Sequence, residues 1–329
     1  MSGEEELRCN GGGLAQTGIF LFFVKGWDSK IMGKRILVTG DTGFLGSRLV
    51  TELKERGHTV RGLSRSSSDI KLDITQITPS GTLPEVDVVV HTAAAVDFSQ
   101  QAANSEVNVI GTSKLLDAVI ARKISRFVHV STAFLFGNNP YEISKKTAEE
   151  LVINTCEVQN IKLTIIRPSI IVGDSKLAGR SPHNGVYIGL RIVKQALEWY
   201  ERETGASVAD TEIRFKGNPQ GKMNVVPVDF VAIAIADAIE QDRTGIIYAT
   251  HPKPPTLRFL EEPISKVLKV KIKFVEDFRP NKLERMLGMM TRDFMAYLQG
   301  YEFSSDIECP TISEGFVIES SLENMMGEV

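Results

Sequence analysis

From residue 35 onward, short apolar runs alternate with stretches of helical period. Ile36-Leu-Val38 predicts a first strand. Leu45, Leu49 and Leu53 then recur four apart, one face of a helix, with Gly57 at its end. Thr59-Val-Arg-Gly-Leu63 and Val86-Asp-Val-Val-Val90 predict the second and third strands. A helix is expected over 101–121, with Val107, Ile110, Leu115 and Val119 on or near one face. Phe127-Val-His-Val130 is the fourth strand, and Lys162-Leu-Thr-Ile-Ile166, ended by Pro168, the fifth. Near-continuous apolar strands between helices imply a parallel sheet covered on both faces, with right-handed crossovers.

After Gly173 the rhythm breaks. Residues 174–185, rich in Gly, Ser, Pro and Arg, predict a loop. Helical period returns over 187–203. Asn224-Val-Val-Pro-Val-Asp229 leads into a helix over 229–240, and Gly245-Ile-Ile-Tyr-Ala-Thr250 predicts a further strand of the main sheet. Pro252, Pro254 and Pro255 mark a boundary, followed by helices over 256–268 and 282–298. Leu283, Met286, Leu287, Met290 and Phe294 form an apolar stripe on the last helix. It suits a packing face, or an adaptable wall for an acyl chain.

Composition adds little against this picture. The 329 residues are 42% hydrophobic and 24% charged, with a net charge of −3, which gives no electrostatic case for nucleic acid or an anionic membrane. No apolar run approaches the ~20 residues of a bilayer span. Ile19-Phe-Leu-Phe-Phe-Val24 lacks basic flanks on its N-terminal side, where Glu4-Glu-Glu6 stands, so no secretory signal is expected. Residues 1–31 are expected to lie outside the fold, as a disordered extension or as an upstream start that is not normally used. Cys9, Cys156 and Cys309 are far apart, and His58, His129 and His251 have no ligand spacing. A reducing, cytoplasmic compartment is expected, and no metal.

Candidate chemistry begins at Gly40-Asp-Thr-Gly43-Phe-Leu-Gly46, between the first strand and its helix. Glycines let the backbone approach a pyrophosphate, and the helix N-terminus offers it unpaired N–H groups. Thr42, Phe44 and Leu45 belong to this turn. An NAD-preferring fold places an acid about 20 residues further along. Here no acid lies between Glu55 and Asp69, and the second strand runs into Leu63-Ser-Arg65-Ser-Ser67. Arginine and serine hydroxyls suit a 2′-phosphate, so NADP(H) is the expected cofactor, with Arg65 as discriminator. Asp73 and Ile74 are placed to meet the adenine, Asp73 being equally suited to capping a turn. The small residues Ala93, Ala94 and Ala95 after His91 let a cofactor lie against the sheet edge. Pro168, Ser169 and Ile170 are expected near the nicotinamide, whose carboxamide backbone groups of Arg167-Pro168-Ser169 could touch.

Tyr141 and Lys145, four apart on a helix, share a face. A nearby ammonium, with the positive charge of an oxidised nicotinamide, is expected to lower the phenol pKa from its usual ~10 and fit it for proton transfer at a carbonyl. Thr132 supplies a hydroxyl to polarise that carbonyl, with Ser131 as runner-up. Asn108 suits either a water and backbone carbonyl near Lys145 or a helix–helix contact. Arg180, His183 and Arg191 are candidates for a phosphopantetheine or CoA phosphate.

With these residues in place, residues 33–308 resemble the extended short-chain dehydrogenase/reductase superfamily. The resemblance is carried by the G-x-x-G-x-x-G turn, His91-Thr-Ala-Ala, Asn108, Ser131-Thr132, Tyr141-x-x-x-Lys145 and Arg167-Pro168. Val130-Ser-Thr-Ala-Phe134, Asn139-Pro-Tyr-Glu-Ile-Ser-Lys145, Arg167-Pro-Ser-Ile-Ile-Val-Gly-Asp174, Asn224-Val-Val-Pro-Val-Asp-Phe-Val-Ala232, Pro254-Pro-Thr256 and Phe303 are similar to motifs of the thioester-reductase and fatty acyl-CoA reductase branch. The resemblance implies an α/β fold: a doubly wound Rossmann sheet over 32–173, with a returning segment at 224–250. It also implies a smaller substrate-binding lobe over 174–223 and 251–329. NADPH-dependent reduction of an acyl thioester, aldehyde or ketone follows. For a thioester, hydride attack yields a hemithioacetal that collapses to aldehyde and thiol, and a second hydride would give the alcohol. The expected partner is a small-molecule substrate, and a homodimer is compatible. Two other readings stand beside it: a nucleotide-sugar epimerase or dehydratase, and an NADPH-sensing protein without turnover. A dehydratase should carry an added acid–base pair beside Thr132, and Ala133-Phe134 supply none. A sensor would often lack the tyrosine or lysine.

Overall fold

The computed structural model describes residues 33–81, 83–175, 186–209 and 211–309. The expectation for residues 1–31 lies outside them, as does most of the expected 174–185 loop. The chain runs β1 (Arg35–Thr39), α1 (Phe44–Glu55), β2 (Thr59–Ser64), β3 (Ile70–Lys71), β4 (Val88–His91), α2 (Gln101–Asn104) and, after a π-helical segment, α3 (Thr112–Ala121). It continues through β5 (Arg126–Val130), α4 (Pro140–Val158), β6 (Lys162–Pro168), β7 (Ile170–Val172), α5 (Val186–Thr204), β8 (Glu212–Lys216) and β9 (Val225–Pro227). Last come α6 (Val228–Glu240), β10 (Gly245–Ala249), α7 (Leu257–Leu268), β11 (Lys271–Val275) and α8 (Lys282–Met290).

Among the described residues, seven strands form one parallel sheet in the order β10-β6-β5-β4-β1-β2-β3. Alternation along each strand feeds two cores. Ile36 and Val38 pack with Leu49 and Leu53 of α1 and Val231 and Ile235 of α6. Leu37 and Val89 face the other way, onto Leu115 and Val119 of α3 and Val152 of α4. Each such side chain contributes roughly 1.5–3 kcal/mol on burial, so the two faces fix the register. Thr39 pairs with His91, and His91 with His129. The strand order reverses at β1, and the C-terminal ends of β1 and β4 there leave the crevice in which doubly wound sheets bind ligands.

A third core joins α5, α7 and α8 to a small parallel sheet of β8 and β11. Another parallel pair, β7 with β9, links it to the main sheet. β3, β7 and β9, of two or three residues, carry too few for a period to register. The third strand of the main sheet begins at Val88 rather than Val86, because the Asp87 side chain turns back to accept from the Arg35 amide and guanidinium. The expected helix over 101–121 is interrupted by a π-helical stretch at Ser105–Gly111. The expected helix over 282–298 ends at Met290 and becomes a 3-10 helix over Arg292–Gln299. Thr291, at the break, donates its hydroxyl to the Leu287 carbonyl. No described helix is long and apolar enough to cross a membrane. Cys156 and Cys309 are free and buried.

Candidate active site

One cavity of about 640 Å³ runs from the glycine turn, past the ends of β4, β5 and β6, into the third core. Apart from Arg167, every residue expected to touch a cofactor lines it. They are Gly40, Thr42, Gly43, Phe44, Leu45, Gly46, Arg65, Asp73, Ile74, Ala93, Ala94, Ala95, Tyr141, Lys145, Pro168, Ser169 and Ile170. Thr132 lines it too.

The turn is closed as tightly as backbone allows. A Cβ on Gly46 would lie 2.0 Å from the Gly40 carbonyl oxygen, and one on Gly40 would meet the Ala93 backbone at 2.8 Å. Gly40 also has φ +74°, a conformation that side chains disfavour. No side chain caps α1 and no acid occupies its first turn, so its positive end faces the cavity uncompensated. At the end of β2 the Thr42 hydroxyl lies 3.0 Å from that of Ser64 and 2.8 Å from that of Ser66. Arg65 is exposed between them. Asp73 N-caps a 3-10 turn, accepting from the Thr75 amide and hydroxyl. Those bonds hold its carboxyl below the usual range, with Arg65 adding to the effect.

Further in, Thr132 is buried and its oxygen accepts from the Phe134 amide at 3.1 Å, which leaves the hydroxyl proton free to donate. The Ser131 and Ser169 hydroxyls are buried without protein partners, and both residues line the cavity. Lys145 donates to the Val130 carbonyl at 2.7 Å, and burial pulls its ammonium down to about 8. Tyr141 departs from expectation. Its desolvation and then the Glu142 charge push the phenol up to about 12. Lys145 is not among the causes of that shift, and its ammonium donates to Val130. Asn108 lines no part of the cavity. Carried by the π-helical segment, it clamps Ala95, accepting from its amide at 2.8 Å and donating to its carbonyl at 2.9 Å, and it donates to Ser144. It thus holds the alanine edge from behind. The Arg167 side chain turns away from the cavity to Glu149 and Tyr248.

Beyond Tyr141 the lining changes character. Phe98 stands edge-on to Tyr141, Phe294 and Tyr297, with the Tyr141 centroid 5.7 Å away. Phe134 packs against Tyr297 and Phe303. The cavity then continues between Leu190, Val193, Phe215, Met223, Ile264, Phe274, Met295 and Leu298. No charged side chain lines this arm among the described residues. The expected apolar stripe of the last helix divides. Leu283 and Leu287 enter the core and Met290 is exposed, while Phe294, from the 3-10 segment, reaches the cavity. Arg180 and His183 lie outside the described residues, and Arg191 on α5 is not among the lining residues.

The sequence profile of the NAD dependent epimerase/dehydratase family matches residues 36–244. The chain belongs to that family. A 3-beta-hydroxysteroid dehydrogenase of Mycolicibacterium neoaurum is 31% identical over 175 residues, 42% of this chain and 48% of the relative. The chain thus spans about half the length of the curated relatives it matches. Among solved structures, RMD from Pseudomonas aeruginosa complexed with NADPH aligns with 91% of this chain and 99% of its own, at 19% identity and a TM-score of 0.58. UDP-glucose 4-epimerase of Thermus thermophilus in complex with NAD aligns with 90% and 100%, at 19% identity and a TM-score of 0.59. These likenesses are of fold. A nicotinamide dinucleotide is the cofactor class that accompanies this epimerase/dehydratase fold, and the glycine cradle and orphaned serine hydroxyls suit one.

Sequence reasoning missed two features of this family member's site. Asp41, inside the glycine turn, places its carboxylate under β2, where a Cβ on Gly62 would lie 2.1 Å from it. It accepts from Ser67 at 2.8 Å and does not line the cavity. The aromatic group of Phe98, Phe134 and Tyr297 also went unread, since its members lie on three separate segments.

Proposed function

We propose that this chain is an NADPH-dependent reductase acting on the carbonyl of an acyl thioester, or of a related compound with an extended apolar body. The observation that carries this reading is the single cavity. It joins a glycine cradle, the Thr132–Tyr141–Lys145 group and an arm that is apolar and uncharged among the described residues. Gly40, Gly43, Gly46 and the N-terminus of α1 would hold the pyrophosphate, and Arg65 with Thr42, Ser64 and Ser66 the 2′-phosphate. When bound, the reduced nicotinamide supplies hydride. Thr132 donates a hydrogen bond to the carbonyl oxygen, and Tyr141 gives it a proton. A phenol held near 12 is fully protonated at neutral pH, the state a proton donor requires. The aromatic group around Tyr141 keeps water from the reacting carbon.

The apolar arm also weighs against a nucleotide sugar, the substrate class in the name of one solved relative. A second pyrophosphate would need cationic or multiple polar partners, and burying it among Leu190, Phe215 and Phe274 would be costly. The decisive experiment follows NADPH oxidation with acyl-CoAs, aldehydes and ketones of graded chain length, beside UDP- and dTDP-sugars followed by product analysis. Net NADPH oxidation with an apolar carbonyl compound is expected. Sugar turnover without net oxidation would overturn the reading.

A further inference from the structure

α4 carries Tyr141, Lys145 and Glu149 at intervals of four, so the three follow one another down a single helix face. Lys145 and Glu149 are both buried. The Lys145 ammonium has one hydrogen-bond acceptor, the neutral Val130 carbonyl. Burial disfavours its charge, and the Glu149 carboxylate is the group that opposes this. Glu149 is itself shared. Arg167 of β6 donates Nε to one carboxylate oxygen at 3.1 Å and Nη2 to the other, and Nη1 to the Tyr248 hydroxyl of β10 at 2.6 Å.

The other groups facing Lys145 add no charge. His91 of β4 bridges the Thr39 and Thr112 hydroxyls. Burial, and then Lys145, hold it down to about 3. His129 of β5 is buried beside it, and the same causes, with His91 added, keep it neutral. Glu142 turns to the other end of the helix, where it accepts from Asn138, Asn139 and Tyr297.

We propose that Glu149 is a positioning residue that keeps the Lys145 ammonium charged, and that Arg167 sets the strength of this effect by sharing the carboxylate. Its consequence for turnover rests on the proposed function, whereas the electrostatic coupling does not. Lysine-selective carbon-13 NMR of the full chain reads it directly, with the Lys145 signal assigned by its loss in Lys145→Met. Glu149→Gln should lower the Lys145 midpoint by about one unit or more. Glu149→Asp should restore most of it, and Arg167→Gln should raise it. The double variant Glu149→Gln, Arg167→Gln removes the carboxylate without leaving the Arg167 guanidinium unpaired, so it tests the same loss if the single variant folds poorly. A midpoint unchanged in Glu149→Gln, or in the double variant where the single one does not fold, overturns the proposal. A midpoint that moves while no carbonyl compound is reduced upholds the coupling and defeats the proposed function instead.

Discussion

The nucleotide end of the cavity is made of backbone, and the substrate end is made of side chains. At the first, Gly40, Gly43 and Gly46 bring main chain against main chain, and specificity is left to a few polar groups at the end of β2. At the second, α5, β8, α7 and β11 each contribute one or two apolar side chains, and the 3-10 segment contributes Phe294, Met295, Tyr297 and Leu298. Backbone cradles tolerate almost no change in shape, because a Cβ at Gly46 meets the Gly40 carbonyl 2.0 Å away. Side-chain walls can be remodelled one residue at a time. The difference teaches how one family scaffold can keep its cofactor while its substrate arm is rebuilt.

The sharpest way to break this division is at the junction. Tyr141→Phe removes the proton donor and leaves both arms lined as before, so kcat should fall by about 10²–10⁴ with NADPH binding intact. Stopped-flow turnover beside fluorescence titration with NADPH checks both halves. Unchanged turnover would remove Tyr141 from the chemistry. Next in size is Arg65→Ala. A charge-assisted bond to phosphate is worth about 1.5–3 kcal/mol, so NADPH affinity should fall roughly ten- to a hundredfold. NADH affinity should hardly move, and parallel Kd measurements with the two cofactors separate the outcomes.

The same division explains what could be read from the sequence. The cofactor arm was legible because its residues are contiguous and their roles local: strand, glycine turn, helix, and then the end of the next strand. Tyr141 and Lys145 were legible because one helix face holds both. The apolar arm was not, since Leu190, Phe215 and Phe274 carry no mark that separates a cavity wall from a core. The break at Thr291 illustrates the limit. The apolar stripe was read, but the switch to 3-10 geometry that delivers Phe294 to the cavity depends on what packs around it. Asp41 went unread for the converse reason. Its destination is set by Gly62, twenty-one positions on, where the space for a carboxylate exists only in the folded sheet. The upward Tyr141 shift could not be read from the sequence because it depends on burial and on the Glu142 charge beside it.

Of smaller size is the pH dependence of the junction. Burial lowers Lys145 to about 8, below the usual lysine value, so its ammonium is lost as pH rises through that point, well before Tyr141 ionises near 12. If the ammonium is the active form, kcat/KM for the free enzyme should be level below pH 8 and fall about tenfold for each further unit. A profile level up to pH 10 would show that the charge of Lys145 is not required.

The smallest effects should come from the substrate arm, and they sharpen the contrast because they are graded. Each CH2 that passes from water into the apolar arm contributes about 0.8 kcal/mol. Lengthening the chain of an acyl or alkyl carbonyl substrate by one carbon should therefore raise kcat/KM about fourfold, until the arm is filled. Met223→Ala, which widens the arm without touching Tyr141, should move that limit to longer chains and leave the affinity for NADPH unchanged. Rates across a homologous series, in the native chain and the variant, test this. A flat dependence on chain length would mean that the walls built by α5, β8 and β11 do not hold the substrate.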